Sequence, residues 1–282
     1  MRILLTNDDG IDAEGFEALE RIAAELSDDV WVAAPRDEQS AQSRALTLST
    51  PLRVHRLGEK RWSVAGTPTD CVMLAMTELM DRKPDLVLSG VNRGQNMAED
   101  VTFSGTVAGA LAGMMAGVPS IALSQALALF HDSRKAYYDT AVAFAPSIVR
   151  RLLERGWPAS VVININFPDV EPELVQGVES TVQGSRDIFD IAPERRSDLR
   201  GRDYYWMGFK GRKPTMVPGT DLNAVFHGRI SVTPLQIDLT DHRTRAALDG
   251  VFEGLAHPVA PVEPHSQESA EGRPALLGDT SD

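Results

Sequence analysis

The chain has 282 residues, 43% of them hydrophobic and 24% charged, with a formal net charge of −12. That length holds one large α/β domain or two modest ones, and the acidic balance argues against a surface built to neutralise the phosphates of a polynucleotide. No apolar run is long enough to span a bilayer, and a single cysteine, Cys71, excludes an internal disulfide framework and fits a reducing compartment, which points to the cytoplasm.

Residues 2–6 (RILLT) read as a buried strand that runs directly into Asn7, Asp8, Asp9 and Gly10. Those acids arrive before any apolar stretch of the length a signal peptide needs. Phe16, Leu19, Ile22, Ala23 and Leu26 recur at helical spacing, and VWVAA (30–34) is a second buried strand that Pro35 ends. A polar loop, RDEQSAQSR, follows, then short strand candidates at 45–49, 52–56 and 61–65. GTPTD (66–70) is a helix start, with Thr67 able to cap, Pro68 at the first helical position and Asp70 in the first turn. DLVLSG (85–90) is the next buried strand, and a long polar loop leads to a helix over 104–118 whose glycines and alanines allow close packing. A strand at 119–124, a helix over 135–155 with a kink at Pro146, and a buried strand at 160–166 complete the alternation. Strand and helix in turn predict a parallel, doubly wound sheet with helices on both faces. From about 170 to 240 the pattern changes to short strands (VESTV, YYWMG, ISVTPLQI) between turn-rich stretches, a β-rich extension. From His257 to Asp282 there are five acids, one base and four prolines, the composition of a disordered tail.

Two adjacent carboxylates at the end of a buried strand are costly to desolvate unless a cation or several donors compensate them. In a parallel α/β sheet, ligands bind outside the carboxyl ends of the strands. If the first, second and 85–89 strands are parallel, Asp8, Asp9, Ser40, Asn92 and Asn96 share one edge. All are hard oxygen donors, suited to Mg²⁺, Mn²⁺ or Ca²⁺ rather than Zn²⁺ or copper. The six histidines form no pair at metal-binding spacing. Ser104, Gly105 and Thr106 open a helix after the polar loop, and the N–H groups and dipole of such a start suit an anion. A cation and an anion site on one edge suggest a phosphate held between them and phosphoester hydrolysis. Taken singly, each feature has a plainer reading: Asp8 and Asp9 as helix cap or turn residues, Ser40 as solvated, Asn92 and Asn96 as turn formers, Ser104 as an ordinary cap. Convergence on one edge carries the functional reading. Phe103 is the one aromatic residue near these loops in the sequence, so base selectivity is expected to be loose.

The segments TNDDGI (6–11), APRDEQS (34–40), GTPTDCV (66–72), SGVNRGQN (89–96) and SGTVAGAL (104–111) resemble the SurE family of survival proteins, which act as 5′/3′-nucleotidases. The likeness continues through NINFPD (164–169), YYWMG (204–208) and 220–240, and so covers nearly the whole chain to about residue 256. The resemblance implies a three-layer, Rossmann-like, mostly parallel sheet. It also implies a single domain over 1–256, with a core to 168, and over 169–256 a β-rich extension and C-terminal helix involved in oligomerisation. It implies Asp8, Asp9, Ser40 and Asn92 as ligands of one divalent ion, Mn²⁺ or Mg²⁺, with Asp8 and Asp9 catalytic, and Asn96, Ser104, Gly105 and Thr106 as the phosphate site. It further implies hydrolysis of nucleoside monophosphates, with 3′-phosphates and short polyphosphate as further substrates, in a homodimer or homotetramer that exchanges C-terminal segments. The loop departs from the family's more basic pattern, with Gln39 where an Arg is frequent, and His227 stands where an acid is frequent. Two other readings stay open: a nucleotide-binding metal sensor without turnover, and a nucleoside hydrolase-like glycosidase, for which no second acidic cluster is visible.

Overall fold

The first strand, β1 (Arg2–Thr6), is buried at every position, as a central strand covered on both faces must be. In this computed structural model residues 1–127, 136–186, 192–208 and 215–255 are described, and the chain divides into two compact units, Met1–Ile237 and Asp238–Asp282. After β1 come α1 (Glu14–Leu26), β2 (Asp29–Pro35), β3 (Val54–Gly58), β4 (Arg61–Val64), α2 (Pro68–Leu74) and β5 (Leu86–Arg93). Then follow α3 (Gly105–Met115), β6 (Ser120–Gln125), α4 (Tyr138–Arg155) and β7 (Val161–Phe167). The first unit ends with β8 (Val178–Ser180), β9 (Glu194–Ser197), β10 (Asp203–Trp206), α5 (Asp221–Phe226) and β11 (Ile230–Gln236). The described part of the second unit carries α6 (His242–Ala247), which the Asp241 side chain caps by accepting the Thr244 N–H. The tail expected at 257–282 lies outside the described residues.

The described strands form a nine-stranded sheet in the order β3-β4-β2-β1-β5-β6-β7-β11-β8, and β9 pairs with β10 separately. All neighbours from β4 to β7 are parallel. From β1 the chain winds outward through β2 to β4, returns to the other side of β1, and winds outward again through β5, β6 and β7. The direction of winding therefore reverses between β1 and β5, where such sheets open a crevice at their carboxyl ends.

The core lies on both faces of this sheet. On one face Phe16, Leu19 and Ile22 of α1 and Ala141, Ala145 and Val149 of α4 pack against Ile3, Leu5, Leu88 and Ile163. On the other, Cys71 and Val72 of α2 meet Leu4 and Val87, while Val107 and Ala110 of α3 meet Ala122 and Val162. Each fully buried aliphatic side chain contributes about 1.5–3 kcal/mol, so this two-sided burial is the main reason the layers hold together. α2 begins as its sequence predicts: the Thr67 hydroxyl accepts the Asp70 N–H, and the Asp70 carboxylate accepts the Thr67 N–H in return. Pro146 sits inside α4 within one continuous helical segment.

One expectation is corrected. Residues 45–49 form no strand. Instead, Asp70 takes the N–H and hydroxyl of Thr47 at 3.0 and 2.7 Å, so that backbone N–H answers to a helix start and not to a ladder. In the C-terminal part of the first unit, α5 stands before β11, with Thr220 as its cap.

Candidate active site

The carboxyl ends of β1, β2 and β5 lie side by side, as their parallel pairing requires. Asp8 is the second residue past the end of β1 and is 4% exposed. Its main-chain carbonyl accepts the Gln39 N–H at 2.7 Å, which ties the loop carrying Ser40 to the β1 terminus. The same loop is clasped from the far side, where Ser43 donates its N–H to the Phe103 carbonyl and its hydroxyl to the Thr102 carbonyl.

On the α3 side, the Thr106 hydroxyl donates to Asp8 Oδ1 at 2.5 Å. Gly105 touches the same carboxylate so closely that no side chain would fit between them. The Ser104 hydroxyl caps α3 by accepting the Val107 N–H at 3.0 Å. On the α1 side, Asp9 Oδ2 accepts the Arg93 N–H at 2.9 Å, which sets the end of β5 against the second carboxylate. Asn92 donates its amide to the Gly94 carbonyl at 2.8 Å, leaving its Oδ1 as an acceptor. The β5 register shifts between Ser89 and Asn92. Gly90 permits this, since its φ is +140° and a Cβ there would stand 2.2 Å from the Leu123 carbonyl oxygen.

Burial pushes the Asp8 carboxyl up to about 7, and the Asp9 charge adds to the shift while the Thr106 hydroxyl opposes it. Burial raises Asp9 as well, with the Arg93 N–H opposing. Two neighbouring carboxylates that resist ionisation are what a cation would relieve. Beside them a cleft of about 400 Å³ opens, walled by Asp9, Ser40, Glu14, Glu38, Arg93 and Tyr138. Ser40 is exposed there and donates its hydroxyl to Glu38 at 2.8 Å.

The structure thus brings Asp8, Gly105 and Thr106 into direct contact, and puts Asp9 and Ser40 on one cleft with Arg93, next after Asn92. Asn96 is 7% exposed and bound to β6 and β7: its N–H donates to Asn166 Oδ1 and its Nδ2 to Ser124 Oγ. The Thr106 hydroxyl hydrogen is committed to Asp8, which differs from its expected use on a phosphate. Among the described residues no three His, Cys, Asp or Glu side chains cluster as a metal site. The set here is two carboxylates with neutral oxygen donors, which fits a hard cation and not zinc.

Sequence reasoning missed two groups. Tyr138, half-buried at the start of α4, lines the cleft beside Asp9, so Phe103 is not the sole aromatic side chain near these loops. Asn164 and Asn166 of β7 hold Asn96, and the signal available was a carboxamide at alternate positions of an otherwise apolar strand. The three non-glycine residues with positive φ among the described ones, Ala41, Ser43 and Ala98, all lie in the loops that build this edge. Such backbone costs about 1–3 kcal/mol each and collects at functional sites.

A family model described as "Survival protein SurE" matches residues 3–190. The chain is 62% identical over 255 residues to "5'-nucleotidase SurE" of Caulobacter vibrioides, covering 90% of this chain and 97% of that one. It is 58% identical to the protein of the same name from Phenylobacterium zucineum, covering 90% and 98%. The crystal structure of the SurE protein from Aquifex aeolicus superposes with a TM-score of 0.75 at 35% identity, over 89% of this chain and 99% of that one.

Proposed function

Because this chain belongs to the SurE family, we propose that it is a 5′-nucleotidase: a divalent-metal-dependent phosphomonoesterase that hydrolyses nucleoside 5′-monophosphates, with 3′-monophosphates and short polyphosphate as further substrates. The observation that carries this reading is the contact of Asp8 with Gly105 and Thr106, which joins a buried carboxylate to a helix start at the switch point of the sheet.

The residues present fit a hard divalent cation. Asp8 is a buried carboxylate and Asp9 a half-buried one, both with raised pKa values, and Ser40 and Asn92 supply neutral oxygens on the same edge. These four would hold Mn²⁺ or Mg²⁺. When bound, such an ion supplies Lewis acidity towards a phosphoryl oxygen and favours ionisation of water. The chain's own groups do the rest. Thr106 keeps Asp8 Oδ1 in place, and the first turn of α3 directs positive dipole towards an incoming dianion. Ser104, whose oxygen already caps the helix, keeps its hydroxyl hydrogen for a phosphate oxygen, and the Asn96 amide stands ready on the β6 side. Water is the attacking group in this reading, with Asp8 and Asp9 as the catalytic carboxylates.

Assembly as a homodimer or homotetramer by C-terminal exchange is part of the same proposal. It is supported by β10, where Tyr204, Tyr205 and Trp206 are 42%, 58% and 61% exposed, an apolar strand in need of cover. No helix among the described residues is long and apolar enough to cross a membrane, and a free, buried Cys71 agrees with the proposed cytoplasmic location.

Phosphate release from 5′-AMP, 5′-GMP, 3′-AMP and short polyphosphate, with Mn²⁺, with Mg²⁺ and with EDTA, tests the reading. Metal-dependent release that Asp8→Asn abolishes is expected. Binding without phosphate release would favour the sensor, and free base in the products would favour the glycosidase.

A further inference from the structure

β7 is buried over its whole length, yet two of its positions carry carboxamides. Asn164 and Asn166 are both 0% exposed. They share a face with Val162, which packs against Val107 and Ala110 of α3. An aliphatic side chain would suit that surface, and a buried amide is costly unless it is hydrogen-bonded.

Their hydrogen bonds converge on one residue. Asn166 Oδ1 accepts the Asn96 N–H at 2.8 Å, and the Asn96 carbonyl accepts from Nδ2 of Asn164 at 2.8 Å and of Asn166 at 3.1 Å. Ser124 of β6, directly across from Asn166 in the sheet and 0% exposed, accepts the Asn96 side-chain amide at 2.9 Å. Both main-chain polar groups of Asn96 and its Nδ2 are therefore held by three side chains from two strands, β6 and β7. Asn164 Oδ1 is buried and has no partner among the described residues, so the bond of its Nδ2 to the Asn96 carbonyl is what offsets the burial of this amide.

We infer that Ser124, Asn164 and Asn166 are positioning residues for the hydrolytic reaction, acting through Asn96; this rests on the proposed role of Asn96 in binding phosphate. Asn166 and Asn164 fix where the Asn96 backbone sits at the sheet edge. Ser124 takes one of the two Nδ2 hydrogens, which sets the plane of the amide and leaves the other hydrogen for a phosphoryl oxygen. In the register of β5 and β6, Ser124 stands across from Asn92 through the main chain, and its hydroxyl is bound to Asn96.

The test measures kcat, KM and the Mn²⁺ concentration for half-activation with 5′-AMP. The proteins are the wild type, Asn96→Ala, Ser124→Ala and Asn166→Val, and each of the last two combined with Asn96→Ala. Ser124→Ala and Asn166→Val are expected to lower kcat about 10–100-fold with half-activation by Mn²⁺ unchanged. Neither should lower it further once Asn96 is alanine, since there is then no amide left to position. A merely structural role would give losses that multiply in the Asn96→Ala background, and that result overturns the inference, as do single variants within about twofold of wild type. If Asn166→Val does not fold, Ser124→Ala, a loss of one oxygen atom, decides alone. An inactive wild type, or Asn96→Ala at full rate, strikes the phosphate-site reading itself. An active wild type that needs Asn96 and ignores Ser124 and Asn166 strikes the inference only.

Discussion

Gly105 and Asp8 are in contact across the gap between α3 and β1: a Cβ on Gly105 would stand 2.7 Å from the Asp8 Cβ and 2.8 Å from its Oδ2. This closeness lets the first turn of α3 reach the carboxylate, and it forbids any larger residue. Gly105→Ala would gain up to about 1 kcal/mol of helix propensity, but overpacking costs about 1–3 kcal/mol, so a net loss of stability is expected. The greater effect falls on activity. α3 must withdraw from the edge, and a displacement of about 1 Å lowers kcat/KM on the order of 100-fold. Steady-state kinetics beside a melting curve separate the two.

Asp8 is the buried charge the site must compensate. Adding Mn²⁺ to metal-stripped protein is expected to raise Tm, by an amount equivalent to about 2.7 kcal/mol at a hundredfold excess over Kd. Asp8→Asn should remove that response and leave the metal-free protein no less stable than wild type, because the more deeply buried of the two carboxylates is then neutral. A wild-type-sized Mn²⁺ shift in Asp8→Asn would contradict the assignment of Asp8 as a ligand.

Thr106 donates its hydroxyl to Asp8. Thr106→Val keeps the shape and removes the donor, and a hydrogen bond to a charged group contributes about 1.5–3 kcal/mol. The expected result is Mn²⁺ affinity weakened about tenfold or more, with Thr106→Ser close to wild type. Calorimetric titration of Mn²⁺ into both variants checks this.

At the opposite end of the sheet, Asp29 opens β2 and accepts hydrogen bonds from Lys60, from Arg2 and from the Trp31 indole. The Lys60 and Arg2 bonds hold its carboxyl below its ordinary value of 3.8. A depressed carboxyl stabilises the fold above its unfolded pKa and loses that contribution as pH falls through the folded one. Asp29→Asn should therefore cost roughly 1 kcal/mol at neutral pH, a modest figure because the group is partly exposed to solvent. The difference from wild type should shrink as pH drops below about 4, while kcat and KM stay as in wild type. Denaturant melts followed by the fluorescence of Trp31 and Trp62, which stack at 5.6 Å, report it.

Asp70 both closes the capping box of α2, by accepting the Thr67 N–H, and binds Thr47. Asp70→Ala should cost about 1 kcal/mol for the lost capping-box hydrogen bond and free the segment around Thr47, which follows the Ser40 loop. Limited proteolysis is expected to cut this variant between 41 and 50 sooner than wild type.

The alternation of fully apolar strands with amphipathic helices, the cap at Thr67 and Pro68, and the strand-end placement of Asp8, Asp9 and Asn92 were all legible in the chain, because strand period, helix period and capping are local. The family followed from five short segments in the right order. The segment at 45–49 was misread because alternating apolar residues suit a strand only if a neighbour offers a ladder, and here Asp70 offers side-chain acceptors instead. What only the tertiary structure decided is which distant side chains meet. Thr106 reaches Asp8 across 98 residues, Asn166 reaches Asn96 across 70, and Tyr138 arrives beside Asp9 from a different layer. The physical reason is that each of those contacts depends on the order and register of strands, set by the summed burial of both sheet faces and not by any window of the sequence.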